Sequence, residues 1–250
     1  MFDFGNANGA QRQAISTTDG PVLITAGPGT GKTFTLVQRA IYLIEEIGVK
    51  PEEIMIATFT EKAAKELITR ITNELDMRGM AVNINDMYVG TFHSLCLRIL
   101  KENLEYTRLK NGFRILDSFD QSYLIFQSFH RFKNLENVDL VLPNGGTWRK
   151  SAQIASWVNT VSEELVSVSD LQSSTNLEIS TLGAVCDAYQ RLLSEENLLD
   201  FSSIQTEAHR VMSENPAVLS KYANAISYIM VDEYQDTNYI QEQIVFLLEQ

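Results

Sequence analysis

The segment Ala26-Gly27-Pro28-Gly29-Thr30-Gly31-Lys32-Thr33 constrains this chain more than any other eight residues in it. A short apolar run, Val22–Thr25, precedes it. A stretch follows in which Val37, Ala40, Ile41 and Ile44 recur at helical spacing. Strand, glycine-rich loop and helix in that order make a phosphate cradle. Glycines let successive backbone N–H groups turn inward, and the helix N-terminus adds unpaired donors and a positive partial charge. Every residue from Ala26 to Thr33 is therefore a candidate nucleotide contact. Lys32 is spaced to reach β- and γ-phosphates, and the Thr33 hydroxyl to hold Mg²⁺. The pattern usually begins with Gly, and Ala26 takes that place here.

A second run, Ile229-Met230-Val231, ends in Asp232-Glu233-Tyr234-Gln235-Asp236. Carboxylates at the end of a buried strand suit a metal-nucleotide site. Asp232 would position Mg²⁺, and Glu233 would orient and deprotonate an attacking water. About 200 residues separate Lys32 from Asp232, more chain than one compact sheet needs between two of its strands.

Apolar runs at Val22–Thr25, Ile54–Thr58, around Tyr88-Val89 and at Ile226–Val231 predict buried parallel strands. Ala64, Leu67, Ile68, Ile71 and Leu75 predict a helix after the second run. Strands alternating with helices make an α/β domain. From about Leu116 to Met212 the pattern predicts helices and no strand. Ser118-Phe119-Asp120-Gln121 has the form of a capping box, and Ser167–Asn176 reads as a flexible link. Trp148 and Trp157 read as core of this helical block, and Cys96 and Cys186 as buried free thiols. The predicted organisation is residues 1–105 and 221–250 for the α/β part, with 106–220 as a helical insertion.

Twenty basic and 32 acidic residues give a net charge of −12, so bulk charge does not attract a polyanion. The charge is uneven: residues 106–160 hold seven basic and four acidic residues, and residues 161–250 three basic and fifteen acidic. The basic segment, with Arg108, Lys110, Arg114, Arg131, Lys133, Arg149 and Lys150, is the part expected to meet phosphates. No apolar run approaches the roughly 20 residues that span a bilayer, and no signal peptide is evident at the start, so a cytoplasmic setting is expected.

With both nucleotide motifs in hand, the residues between them resemble the UvrD/Rep-like superfamily 1 DNA helicases, from Asn8 to Gln241. Asn8–Ile15 looks like the family's adenine-recognising glutamine motif, with Gln11 reading the base and Arg12 beside it. Ala57-Thr58-Phe59-Thr60-Glu61-Lys62-Ala63-Ala64 resembles its motif Ia, and Val89-Gly90-Thr91-Phe92-His93-Ser94 its motif Ib. Ile115–Ser118 and Leu199–Phe201 resemble weaker signatures. Val231–Asn238 resembles motif II. The resemblance implies a P-loop, RecA-like parallel sheet interrupted by an all-helical subdomain. It implies an ATP- and Mg²⁺-dependent motor moving 3′ to 5′ on single-stranded DNA and unwinding duplex at junctions, in repair, replication or recombination. Lys32, Glu233 and Gln235 would be catalytic, Gln235 sensing the γ-phosphate. Phe59 would stack on a base, and Thr58, Thr91 and His93 would touch the strand. In a prokaryote such a protein is expected at the nucleoid.

Two departures stand out. Glu61 occupies a position where many members carry Asn, adding negative charge near the expected DNA path. Phe34 occupies one where many carry Arg. The chain is expected to be the N-terminal part of a longer motor, lacking on its own the second domain that efficient hydrolysis and stepping need. The helicase subunit of a helicase–nuclease machine and a non-catalytic, ATP-gated binding module are the alternative readings.

Overall fold

The computed structural model describes residues 2–249. The chain divides into two compact units. The first comprises residues 1–95, 220–237 and 248–250. The second comprises 96–219 and 238–247.

In the first unit, β1 (Ile54–Thr58), β2 (Tyr88–Thr91) and β5 (Tyr228–Val231) form a parallel sheet in the order β2-β1-β5. Thr58 lies opposite Thr91, and Ala57 opposite Val231. The ladder runs one residue further, where Asp232 N–H donates to the Ala57 carbonyl at 2.9 Å. All five β1 residues are buried, as a central parallel strand covered on both faces requires. Helices α1 (Gly9–Ser16), α2 (Lys32–Tyr42) and α3 (Glu61–Met77) belong to this unit. Ile15, Ile41, Leu43, Ile54, Ile56, Leu67 and Ile71 make its core. α2 ends in a single π-type turn, Leu43–Ile47, closed by Gly48 at φ 79°. Of the four boundaries between the units, one falls inside α4 (Phe92–Glu102), one inside α12 (Pro216–Ala225), one after Thr237 and one inside the last helix.

The second unit is mostly helical: α5 (Ser118–Gln127), α6 (Phe129–Lys133), α7 (Val138–Val141), α8 (Thr147–Glu163), α9 (Val168–Gln172), α10 (Leu177–Glu195) and α11 (Phe201–Glu214). Most of α13 (Tyr239–Leu248) groups with it. Ile125, Phe132, Ile154, Val158, Val185, Tyr189 and Leu193 are among its core residues.

Four expectations about elements and caps need correction. Val22–Thr25 forms no strand; it is irregular and exposed, with Leu23 at 82%. An apolar run becomes a strand only where a neighbour receives it, and in this sheet β5 is an edge. The middle of the chain is not free of strands. β3 (Arg114–Leu116) pairs in parallel with β4 (Leu198–Asp200), Ile115 opposite Leu199 and Leu116 opposite Asp200. The two weak family signatures are thus one ladder, too short to show a period in sequence. The cap of α5 is Asp117, not Ser118; its side chain accepts from the Asp120 N–H at 2.8 Å. Gln121, expected in the box, is buried instead. Finally, Ser167–Asn176 contains α9, capped by Ser167 and packed against α10 at Gly183. A Cβ there would lie 2.7 Å from the Gln172 nitrogen, so the glycine allows the close approach.

Both cysteines are buried free thiols, and burial pushes each up to about 12. Trp157 packs at the edge of the helical core, whereas Trp148, expected inside, is exposed. No helix among the described residues is long and apolar enough to cross a membrane.

Candidate functional site: a phosphate loop facing two carboxylates

The first unit gathers its chemistry at the carboxyl ends of parallel strands. β1 ends at Thr58, β2 at Thr91, and β5 at Val231 just before Asp232. In open parallel sheets this is the edge where ligands bind.

The loop before α2 turns on two glycines in the left-handed region, Gly29 at φ 75° and Gly31 at φ 89°. The Thr30 hydroxyl donates to the Gly27 carbonyl at 2.7 Å, closing the turn from Gly27 to Thr30. Gly31 caps α2 with no side-chain bond, so Lys32 and Thr33 open a helix whose first amides have no side-chain acceptor. Lys32 Nζ lies 2.9 Å from each carboxylate oxygen of Glu233. Gln235 Nε2 donates to Glu233 Oε2 at 2.6 Å. Glu233 itself sits at φ 52°, ψ 48°, a left-handed conformation rare for a side-chain-bearing residue. The motif residues Lys32, Asp232, Glu233 and Gln235 therefore converge.

Their charges are tuned by one another. The Lys32 bond, then the Gln235 bond, hold the Glu233 carboxyl below the usual carboxylate range. The Glu233 bond raises Lys32. Asp232 goes the other way: burial first, and then the neighbouring Glu233 charge, raise it. An ammonium and two carboxylates of opposite tendency, beside the uncapped N-terminus of α2, have the chemistry to bind a metal-bound polyphosphate. No three His, Cys, Asp or Glu side chains cluster as a protein-only metal cage among the described residues. Mg²⁺ typically keeps its waters and takes one or two protein ligands plus phosphate oxygens, so Thr33 and Asp232 fit that ion.

Gln11 sits beside the loop and is fully engaged. It makes a reciprocal capping box with Asn8, at 2.9 Å in each direction, and its Nε2 donates to the Thr30 carbonyl at 3.1 Å. The N-x-x-Q spacing at 8–11 was the available signal for this box. Arg12 Nε bonds the Ala7 carbonyl at 2.8 Å and its guanidinium lies over Phe4. Arg39, which the sequence did not single out, ties α2 to the end of α1 through the carbonyls of Ala14 and Thr17 at 2.6 and 2.5 Å. Phe34 packs against the core.

At the ends of β1 and β2, Phe59 is 62% exposed, the condition for a stacking ring. Thr58 and Thr91 are buried, and their hydroxyls donate to the Thr60 carbonyl and to Glu61 Oε1 at 3.1 and 3.0 Å. His93 is half-buried; burial lowers its pKa, and the Glu61 charge opposes that shift. Glu61 thus has an intramolecular role, joining the segments after β1 and β2. Of the seven basic residues of 106–160, Arg108 pairs with Glu207 at 3.8 Å and Arg131 with Glu195 at 2.6 Å.

A buried polar network in the second unit was also absent from the sequence reading. Asp200 Oδ2 accepts from the Tyr189 hydroxyl and from Gln121 Nε2, and Gln121 also donates to Asn159 Oδ1 at 2.8 Å. Asp200 Oδ1 caps α11 through the Ser203 N–H at 2.7 Å.

The model of the UvrD/REP helicase N-terminal domain matches residues 7–250. The ATP-dependent DNA helicase PcrA of Staphylococcus epidermidis is 34% identical over 244 residues, covering 97% of this chain and 31% of the relative. PcrA of Staphylococcus aureus is 34% identical over 245 residues, 96% of this chain and 31% of the relative. The chain thus spans about a third of the length of these curated relatives. With nearly its whole length matched, and with the phosphate loop facing the Asp232–Gln235 segment, this chain belongs to the UvrD/REP helicase N-terminal domain family.

Proposed function

We propose that this chain is the ATP-binding part of an ATP-dependent DNA helicase that moves 3′ to 5′ on single-stranded DNA and opens duplex at junctions, serving repair, replication or recombination in a bacterial cytoplasm. The observation that carries the reading is the convergence of Lys32 with Asp232, Glu233 and Gln235 across some 200 residues of chain. In this reading the sheet unit is a RecA-like P-loop domain, residues 1–105 and 221–250, and residues 106–220 are its helical insertion.

The loop from Ala26 to Thr33 would wrap the phosphates, and Gln11 and Arg12 would meet the base side of the nucleotide. Thr33 and Asp232 would hold Mg²⁺, which supplies charge neutralisation on the phosphate oxygens when bound. Glu233, released from Lys32 by the incoming phosphates, would orient the attacking water and accept its proton. Gln235 would report the γ-phosphate. Phe59 and His93 would face the strand, with Thr58 and Thr91 shaping the same edge.

The test is Mg²⁺-dependent binding of a fluorescent ATP analogue to the purified chain, beside ATP turnover with and without single-stranded DNA. Binding that Lys32→Ala abolishes, with turnover far below that of a full-length relative, is the expected result. Tight binding unaffected by Lys32→Ala would remove the loop from the site. Robust DNA-stimulated turnover by the 250 residues alone would show that no second domain is needed.

A further inference from the structure

Four aromatic rings meet on the surface of the helical unit. Phe119, Tyr123 and Phe126 lie on α5 and Trp148 near the start of α8. They are 65, 44, 40 and 43% exposed. The Phe119 and Tyr123 rings are 6.2 Å apart and within 8° of parallel; those of Tyr123 and Phe126 are 6.4 Å apart and within 15°. Trp148 lies 5.7 Å from Phe119 and 5.9 Å from Phe126. The i, i+4, i+7 spacing puts the three α5 rings on one face. The core of this unit takes Ile125 from the other side of that helix, so the rings are not required for folding. An exposed apolar cluster of this kind marks an interaction surface.

The surroundings identify what it meets. Arg149 and Lys150 follow Trp148 directly, and neither is in an ion pair among the described residues, whereas Arg108 and Arg131 are paired. The N-cap of α8, Gly146, offers no side-chain acceptor, so the first-turn amides beside Trp148 remain open to an anion. Two exposed carboxylates, Asp117 and Asp120, lie at the Phe119 end of α5, and Asp117 is engaged in capping that helix, whereas the Trp148 end carries Arg149 and Lys150. Flat π faces beside unpaired cations and open amides are what a single nucleic-acid strand requires: bases stack, phosphates meet positive charge. A protein partner needs the rings but not the unpaired basic edge.

We propose that Phe119, Tyr123, Phe126 and Trp148 form a base-stacking platform for single-stranded nucleic acid, with Arg149 and Lys150 as its phosphate contacts. This is a contact on the helical unit additional to Phe59, and it rests on the helicase reading for the class of ligand. The platform takes bases without reading their sequence, because every base has a π face.

The experiment uses the 250-residue chain and a labelled thymidine oligonucleotide of about 16 nucleotides, the upper range of single-strand site sizes. Phe119→Ser/Tyr123→Ser/Phe126→Ser is expected to weaken binding about tenfold or more, with an unchanged circular dichroism spectrum. Oligonucleotide should quench tryptophan emission in the unsubstituted chain and not in Trp148→Phe, and an abasic oligonucleotide of equal length should quench neither. Arg149→Ala/Lys150→Ala should lower the log–log salt slope by roughly one to one and a half. If the triple variant binds like the unsubstituted chain while Phe59→Ala weakens binding, the platform is overturned and the helicase reading stands. The patch would then cover a protein surface, and sedimentation at several concentrations would reveal a second copy. If the unsubstituted chain fails to bind the oligonucleotide, the platform is overturned, and the helicase reading is decided separately by nucleotide binding to the Lys32 loop.

Discussion

Lys32 Nζ is equidistant from the two carboxylate oxygens of Glu233, 2.9 Å from each. The residue that should neutralise phosphate and the residue that should activate water thus hold each other in the free protein. In the proposed reading, nucleotide phosphates compete with Glu233 for Lys32. Glu233→Gln should therefore tighten nucleotide binding several-fold while lowering turnover, and Lys32→Ala should lose binding outright. Titration with a fluorescent ATP analogue checks both.

Asp232 should behave in the opposite sense from Glu233. Its folded pKa lies above the ordinary 3.8, so folding disfavours its charged form relative to the unfolded chain. Stability is fullest below 3.8 and falls as pH rises through the raised value. The Lys32–Glu233 pair instead adds stability above the ordinary Glu value of 4.5, lost as pH falls through the depressed folded pKa. At neutral pH Asp232→Asn should raise the melting temperature by about 1–3 °C and abolish Mg²⁺-dependent nucleotide binding. Calorimetry beside the binding assay reads the two effects apart.

Gly31→Ala should damage the loop twice. The residue is at φ 89°, and a Cβ would lie 2.8 Å from Gln11 Nε2, whose bond to Thr30 anchors α1 to the loop. We expect a loss of about 1–2 kcal/mol and weaker nucleotide binding. Gly29→Ala meets no neighbouring atom and should show the backbone strain alone.

Asp200→Ala should be the most destabilising single change in the helical unit. It leaves the buried Tyr189 hydroxyl and Gln121 amide short of an acceptor and removes the α11 cap. A loss of about 3–5 kcal/mol is expected in urea unfolding. Tyr189→Phe should cost less, since it removes one donor and leaves the carboxylate its other partners.

His93 and His209 are both held below the ordinary 6.5 by burial. The unfolded chain therefore binds more protons just below that pH. Stability is fully present above 6.5 and falls as pH drops through the depressed values. Replacing both with Gln should flatten the decline. Glu61→Gln should lower the His93 pKa further, read by its ring-proton titration, because the Glu61 charge is what opposes the shift.

The legible parts of this molecule were those whose signal is local. The β1 run reads from Ile54 to Thr58, the span found, because a strand buried on both faces is continuously apolar. The Asp232–Gln235 segment was legible because a strand must end where its carboxylates begin. The hidden parts depend on distant partners. β3 and β4 have three residues each and exist only as a pair. The Asp200 network joins positions 121, 159, 189 and 200 from four elements, and no spacing announces it. Trp148 was misread because size and apolarity give a residue's tendency to be buried and say nothing of which side of its helix the core lies on. Val22–Thr25 shows the same limit in a strand: its pattern is right, but pairing is a property of two segments.

That last segment bears on how the protein behaves in a tube. Pro21 through Thr25 present Val22, Leu23 and Ile24 to solvent, and among the described residues no strand pairs with the outer edge of β5. Unpaired strand amides and a bare β-branched arm are the ingredients of intermolecular sheet growth. Colloidal behaviour of the purified protein should thus be governed by Val22, Leu23 and Ile24 beside the phosphate loop, and Leu23→Lys should keep it dispersed at concentrations where the unsubstituted chain clouds.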